Sequence, residues 1–431
     1  MLIPDSSLPR VVIIGGGFGG INLAKKLDTT EFQVVLLDKH NYHTFQPLLY
    51  QVATAGIEPG SIAYPFRKVF AGKPNFFFRM AEVQEVRAAQ NEVVTNIGAL
   101  RYDYLVIATG AKTNFFGLKN LEANAMAMKT VSEALDIRSL LIQNFEKALL
   151  TDNLREREAL MSVVIVGGGP TGVELAGALS ELKKDILPKD YPDLDVRVMD
   201  IHLIDSNARV LKEMTEKSSA KALTYLRNMG IHVWLNVRVT DFNGAQVNCN
   251  NGQSLNAATV IWAAGVTGAI PAGLTQDPPS PGRLTVDEAG RVKGFINVFA
   301  IGDVAKMESA ALPHGHPMMA QPAMQQGVWL ASNLLRLKKG TSTVPFVYKN
   351  LGSMATVGRN KAVTELPSMK LYGWLAWAAW LFVHVYQLIG FRNKVVVLWN
   401  WMHNYLRHSR DLRLIIRPFK RTNPQNTGAN G

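Results

Sequence analysis

A chain of 431 residues, 47% hydrophobic and 19% charged, is long enough for two or three domains with sizeable cores, which excludes a disordered or small disulfide-stapled protein. The formal net charge of +12 suits an anionic partner, either nucleic acid or an anionic membrane surface. The single cysteine, Cys249, excludes a disulfide framework, a cysteine zinc cluster or a dithiol redox pair within the chain and fits a reducing compartment. The N-terminal MLIPDSSLPR is short and polar and reads as no signal peptide.

Arg10–Gly20 (RVVIIGGGFGG) predicts a buried strand, a glycine turn and a helix continuing through Ile21–Leu27. Gly15, Gly17 and Gly20 have G-x-G-x-x-G spacing, which allows a tight turn, a close approach of backbone to a pyrophosphate and close helix–strand packing. The helix N-terminus adds free N–H groups and partial positive charge. Phe32–Leu37 is a second apolar run ending in Asp38, placed about 20 residues beyond the glycines to bind ribose hydroxyls; the alternative is a plain turn residue. His40–Gly60 is a long polar and aromatic connection of the kind that is functional or mobile. His40 and His43 within it read as ordinary loop histidines rather than metal ligands. Arg79–Arg87 and Glu92–Asn96 predict short β elements, Tyr102–Ala108 a buried strand ending in Thr109-Gly110, and Val131–Leu150 an amphipathic helix.

The order then repeats. Ser162–Gly172 (SVVIVGGGPTG) is again strand, glycine turn and helix, with Gly167, Gly169 and Gly172 spaced as before and offset by about 150 residues, one domain's length. Asp205 follows the next strand, Ile201–Ile204, and is placed to bind a second ribose and repel a 2′-phosphate, although Arg209 nearby weakens that discrimination. Ile231–Val239 predicts a strand, and Val260–Gly265 (VIWAAG) echoes the earlier LVIATG. Phe295–Asp303 predicts an apolar strand ending in Gly302-Asp303, where the aspartate also suits a cap or turn. Ala320-Gln321-Pro322 opens a helix with proline in its first turn, and Gln321 and Gln325 fall on one helix face. Glu174 is placed in the first turn of the second glycine-turn helix, where an acid complements the dipole. His314 and His316 are assigned no metal.

Two glycine turns, the ATG at Ala108–Gly110, the AAG at Ala263–Gly265 and the AIGD at Ala300–Asp303 resemble the flavoproteins with two dinucleotide-binding domains, over roughly residues 8–345. Within that superfamily, AQPAMQ (Ala320–Gln325) resembles the AQxAxQ motif of type II NADH dehydrogenases, the single-subunit NADH–quinone reductases. HTFQPLLYQVATAG (His43–Gly56) is similar to their flavin-side loop. Disulfide reductases and sulfide–quinone reductases need redox cysteines that this chain lacks.

The resemblance implies an α/β fold of two Rossmann-like domains, for FAD and NADH, plus a C-terminal helical membrane-anchoring region. The expected segments are 8–127 and 272–345 for FAD, 128–271 for NADH and 346–431 for the anchor. It implies FAD held by Gly15, Gly17, Phe18, Gly19, Gly20, Asp38, Lys39, Val83, Thr109, Gly110, Asp303, Ala320 and Gln321. NADH would be held as a substrate by Gly167, Gly169, Thr171, Gly172, Glu174, Asp205, Ala264 and Gly265. Hydride would pass from NADH to flavin N5 and two electrons to a membrane quinone, the cofactor carrying the chemistry. Glu174 would contact the nicotinamide side of the flavin and influence proton delivery. The helix opening at Ala320 would aim its amides at the flavin, and Gln321 and Gln325 would line the quinone entrance. A homodimer is also implied.

Leu371–Ile389 contains no Lys, Arg, Asp or Glu, and Trp374, Trp377, Trp380, Trp399 and Trp401 fall in this region. Val395–Leu406 is a second apolar run, followed by Arg407–Arg421, basic but interleaved with Leu412, Leu414, Ile415, Ile416 and Phe419. A transmembrane helix, a buried helical pair or oligomer interface, and a monotopic anchor all fit. The monotopic anchor is favoured, with aromatic faces in one leaflet and basic residues on anionic headgroups, which places it peripherally on the cytoplasmic face of the cell inner membrane. Redox turnover without ion pumping is then expected. The rivals are a soluble NADH-dependent ferredoxin- or rubredoxin-type reductase and a flavin-bearing nucleic-acid binder. The positive charge beside aromatic apolar runs fits a membrane better than nucleic acid.

Overall fold

The structure is a computed structural model that describes residues 1–274, 276, 282–308, 312–407 and 413–421. It divides into two compact units. The first comprises Met1–Thr44, Ala63–Lys112 and Val266–Leu351; the second comprises Phe45–Ile62, Thr113–Gly265 and Gly352–Gly431. The sites rest on five helices: α1 (Phe18–Lys26), α2 (Pro170–Glu181), α3 (Ala320–Lys338), α4 (Gly373–Gln387) and α5 (Phe391–Arg407).

The first unit is built on a parallel five-stranded sheet in the order Val298–Ala300, Tyr104–Ile107, Arg10–Ile14, Gln33–Asp38, Phe76–Met80. Its central strands are continuous apolar runs because helices cover both faces of such a sheet. Val11 aligns with Tyr104, and Val12 with Val35, and these strands sit in one buried core with Val86, Leu284 and Val304. α1 and α3 cross at glycines: a Cβ on Gly327 would run into the Gly19 carbonyl. The last sheet strand ends in a 3-10 turn, Gly302–Val304, with Gly302 at φ +74°.

The second unit repeats this order except at one edge, where the strand comes before the glycine-turn strand in the chain and not after it. Its parallel sheet runs Met126–Ala127, Thr259–Trp262, Val163–Val166, Ile201–Asp205, His232–Leu235. The strand expected over 231–239 divides in two, His232–Leu235 in this sheet and Val239–Phe242 in a separate antiparallel one, because Asn236, at φ +57°, breaks the extended run. The loop residues Phe45–Ile62 form short helices whose Leu48, Leu49 and Val52 are buried, as is Ile57 between them, so this stretch is ordered and not a solvated connection.

A C-terminal hairpin, Ser353–Gly358 with Lys361–Glu365, lies on α2. A Cβ on Gly177 would collide with the Val357 carbonyl, so this glycine permits the contact. α4 and α5 follow. α4 has 15 residues, about 22 Å at 1.5 Å per residue, and among the described residues no helix is long and apolar enough to cross a membrane. Of the basic run at 407–421, Leu412 and its neighbours from 408 lie outside the described residues.

Candidate active site

The two glycine turns have the same construction. Gly15 and Gly167 take φ of +100° and +114°, a region closed to side chains. A Cβ on Gly20 would strike the Gly15 carbonyl, and one on Gly172 the Gly167 carbonyl, so the third glycine in each motif is demanded by the fold itself. The second glycine is different. A Cβ on Gly17 or Gly169 would meet no atom within 4 Å. No protein atom requires glycine at these two places, and the backbone there stays open to a ligand. Each heads a helix that it caps without a side-chain bond, leaving N–H groups for an anion. Around the first turn, the buried Thr109 hydroxyl has no partner, and its Cα is among the atoms nearest the Gly15 position. An open backbone cradle beside an orphaned hydroxyl fits a bound dinucleotide pyrophosphate.

Asp38 and Asp205 end equivalent strands and do something the motif did not announce. The Gly16 amide donates to Asp38 Oδ2 at 2.6 Å, and the Gly168 amide donates to Asp205 Oδ2 at 2.5 Å. The other oxygens accept from the His40 amide at 2.8 Å and the Asn207 amide at 2.7 Å. Each acid therefore holds its own glycine turn, and a carboxylate with about four lone-pair sites retains acceptor capacity for ribose. Burial raises the Asp38 carboxyl above the usual range, against the two amides.

His43 is the residue that sequence reasoning missed. It is buried, it sits edge-on to Phe18 at 5.2 Å, and its Nδ1 lies 2.9 Å from the Gly16 carbonyl. Only a protonated Nδ1 can donate there, and burial lowers the ring to about 4, so it is the neutral Nδ1–H tautomer. The expectation of an ordinary loop histidine is corrected: His43 braces the first turn. Its aromatic neighbours gave no local signal of this contact, which spans 27 positions.

The remaining first-unit residues are placed as follows. Lys39 is exposed beside Asp38; Val83 begins the Val83–Arg87 strand; Gly110, at φ +69°, follows Thr109. Asp303 lies in the 3-10 turn, whose Gly302 amide donates to Gln326 Oε1 at 2.7 Å. Ala320 and Gln321 open α3. Gln325 is fully engaged: its Nε2 donates to the Lys349 carbonyl at 2.8 Å and its Oε1 accepts the Lys349 amide at 3.0 Å. Gln321 Oε1 accepts from the Leu351 amide at 3.3 Å. The two glutamines thus clamp residues 349–351.

In the second unit, Thr171 is exposed in the first turn of α2, and Ala264 and Gly265 follow the Thr259–Trp262 strand. Arg209 donates to the Lys212 carbonyl at 2.9 Å. Glu174 lies beyond the first turn of α2, where no acid is found, so the dipole explanation is corrected. α2 is buried nearly all round, and Glu174 is only 7% exposed. Its Oε1 accepts from the Trp380 indole N–H at 3.1 Å and the Thr356 amide at 3.3 Å. Burial pushes the carboxyl up to about 8 in spite of those two donors, so it carries a proton at neutral pH.

Trp380 is 1% exposed and faces inward, which corrects its assignment to a membrane-facing aromatic set. His384 stacks on it at 3.9 Å and is kept neutral by burial, at about 4. Glu174 and Trp380 open onto a cleft of about 790 Å³, part of it open to solvent. Tyr50, Trp377, Trp380, Trp401 and Tyr405 give it aromatic walls, and Glu174, Glu181, Asp185 and Arg359 give it polar ones.

α5 has two faces. Trp401 and Asn404 line the cleft, while Phe391, Val395, Leu398, Trp399, Met402 and Leu406 are exposed. Phe382 and Tyr386 of α4 are each 72% exposed. Among the described residues, three arginines of the tail are differently employed from the headgroup contacts expected of them. Arg413 pairs with Asp190 at 2.5 Å, Arg417 with Asp136 at 2.8 Å, and Arg421 donates to the Gly244 carbonyl at 2.8 Å.

Comparison with known proteins agrees with this layout. Residues 9–327 match the family model of pyridine nucleotide-disulphide oxidoreductases, and residues 350–411 match that of the NDH2 C-terminal domain. A type II NADH:quinone oxidoreductase of Mycobacterium tuberculosis is 35% identical, the match covering 92% of this chain and 88% of that one. A mitochondrial internal alternative NAD(P)H-ubiquinone oxidoreductase of Solanum tuberosum is 30% identical over 91% of this chain and 86% of its own. The structure of NDH2 from Plasmodium falciparum in complex with NADH shares the fold, with a TM-score of 0.87 at 22% identity, covering 95% of this chain and 100% of that one. With both glycine turns, the α3 glutamines and the C-terminal hairpin inside these matches, the chain belongs to the pyridine nucleotide-disulphide oxidoreductases and, among them, to the type II NADH dehydrogenases.

Proposed function

We propose that this protein is a non-pumping NADH:quinone oxidoreductase working at a membrane surface, with FAD held by the first glycine turn and NADH exchanging on the second. FAD, when bound, supplies the two-electron relay between nicotinamide and quinone. The chain's residues bind and orient. Gly17 and Gly169 admit the pyrophosphates, Asp38 and Asp205 hold the turns and offer remaining lone pairs to ribose, and His43 braces the first turn. Asp205 disfavours a 2′-phosphate, so NADH is the preferred donor. Gln321 and Gln325 act as positioning residues through the segment that they clamp.

The observation that carries the reading is the second-unit cleft, where a buried, protonated Glu174 sits among aromatic walls. A planar acceptor with an oxygen to protonate uses both features; a protein electron carrier uses neither. In the net reaction NADH supplies a hydride, and the quinone takes two electrons and two protons, so one proton comes from water. Glu174 is the acid placed to give it. The exposed aromatic faces of α4 and α5 suit attachment to one leaflet. Purified, FAD-loaded protein should oxidise NADH with a short-chain quinone. Activity with ferricyanide and none with any quinone would refute the proposal.

A further inference from the structure

A buried acid that gives up a proton in every turnover must recover one, and Glu174 has no exposed surface of its own large enough to do so. The same wall of the cleft offers a route. Glu174, Ala178, Glu181 and Asp185 all line it from one stripe of α2 and its continuation, at i, i+4, i+7 and i+11. The stripe covers about 16 Å at 1.5 Å per residue. It runs from the buried Glu174 to part-exposed Glu181 and Asp185. Ala178, between the carboxylates on this stripe, presents only a methyl group to the cleft. Asp185 lies in a π-helical turn, Leu182–Ile186, an interruption frequently found at functional sites. Glu181 is held in place by the Arg359 amide, which donates to its Oε1 at 2.5 Å. The other titratable groups lining the cleft are Arg359, Tyr50 and Tyr405, so the carboxylates are the acids of this wall.

We propose that Asp185 and Glu181 are the proton-uptake path to Glu174 during quinone reduction, relaying protons through water along the α2 wall. The step rests on the quinone reading above. Glu174 gives its proton to an oxygen of the reduced quinone and becomes a carboxylate. Asp185 takes a proton from solvent, Glu181 receives it, and water between Glu181 and Glu174 carries it to the carboxylate, restoring the acid.

The test compares two acceptors. Ferricyanide takes electrons alone, whereas quinone needs the extra proton. Glu181→Gln keeps an oxygen for the Arg359 amide but relays no proton, and it is combined with Asp185→Asn in the FAD-loaded holoenzyme. The ratio of quinone to ferricyanide turnover should fall about tenfold above pH 8, the fall should shrink below pH 6, and the solvent deuterium isotope effect on quinone turnover should grow. A ratio and pH profile equal to wild type would overturn the path. If the double variant does not fold, Asp185→Asn alone, at a part-exposed position, carries the same comparison. Wild-type protein that reduces ferricyanide but no quinone would instead refute the function itself, before any variant is made.

Discussion

Glu174 is protonated in the folded protein up to about pH 8, whereas the same side chain in an unfolded chain ionises near 4.5. Between those values the native state binds the extra proton, so stability is present below about 4.5 and is lost as pH rises to about 8. Glu174→Gln removes that loss while keeping an oxygen for the Trp380 indole. Its melting temperature should exceed the wild type's by several degrees at pH 9 and match it near pH 5, as measured by thermal denaturation. Equal curves at both pH values would show the carboxyl is not buried as described. His43 has the opposite sign: neutral in the fold down to about 4, it stabilises above 6.5 and loses that contribution as pH falls to 4. His43→Ala leaves the Gly16 carbonyl without its donor, and FAD should be released on gel filtration at a pH where wild type retains it. The glycines and both aspartates were legible in the sequence because their spacing is local. The partners of Glu174 were not: Thr356 and Trp380 lie 182 and 206 positions away, and no periodicity links them.

At the scale of elements, each strand–turn–helix unit separates glycine demanded by folding from glycine that no protein atom demands. Gly20→Ala and Gly172→Ala drive a methyl into a backbone carbonyl and should give little soluble protein. Gly17→Ala should fold, with a melting temperature near wild type for the FAD-free protein, and fail to retain FAD. Gly169→Ala should raise the KM for NADH and leave FAD bound. Helix α5 was legible as an apolar run, but not as a helix with one face in the cleft and another in solvent, because both faces are apolar and aromatic. That ambiguity explains why Trp401 and Trp399 looked alike in sequence, although the first lines the cleft and the second is 62% exposed. Leu398→Glu with Trp399→Glu places charge on the outer face only. Vesicle flotation should show loss of binding, with NADH–ferricyanide turnover retained.

Across the molecule, the repeated motif order proved to be a repeated sheet order for four strands of five in each unit; the fifth, an edge strand, follows the others in the chain in the first unit and precedes them in the second. Repetition was legible because the strands Arg10–Ile14, Gln33–Asp38, Val163–Val166 and Ile201–Asp205 are short, mostly apolar runs closed by glycine or aspartate. The tail was not: a basic run beside apolar residues has the same composition whether it meets lipid headgroups or its own domain. Here Arg413, Arg417 and Arg421 are occupied by the second unit. Attachment to vesicles should therefore depend mainly on apolar contact, surviving about 0.5 M salt and needing little anionic lipid. Because α5 is both a wall of the cleft and part of the outward apolar surface, the membrane attachment proposed above would set the acceptor's concentration within the bilayer. Turnover should follow the mole fraction of quinone in the lipid and not its amount per volume. Adding quinone-free lipid to the same vesicles at constant total quinone should slow the enzyme, a surface-dilution behaviour that a carrier protein in solution would not produce.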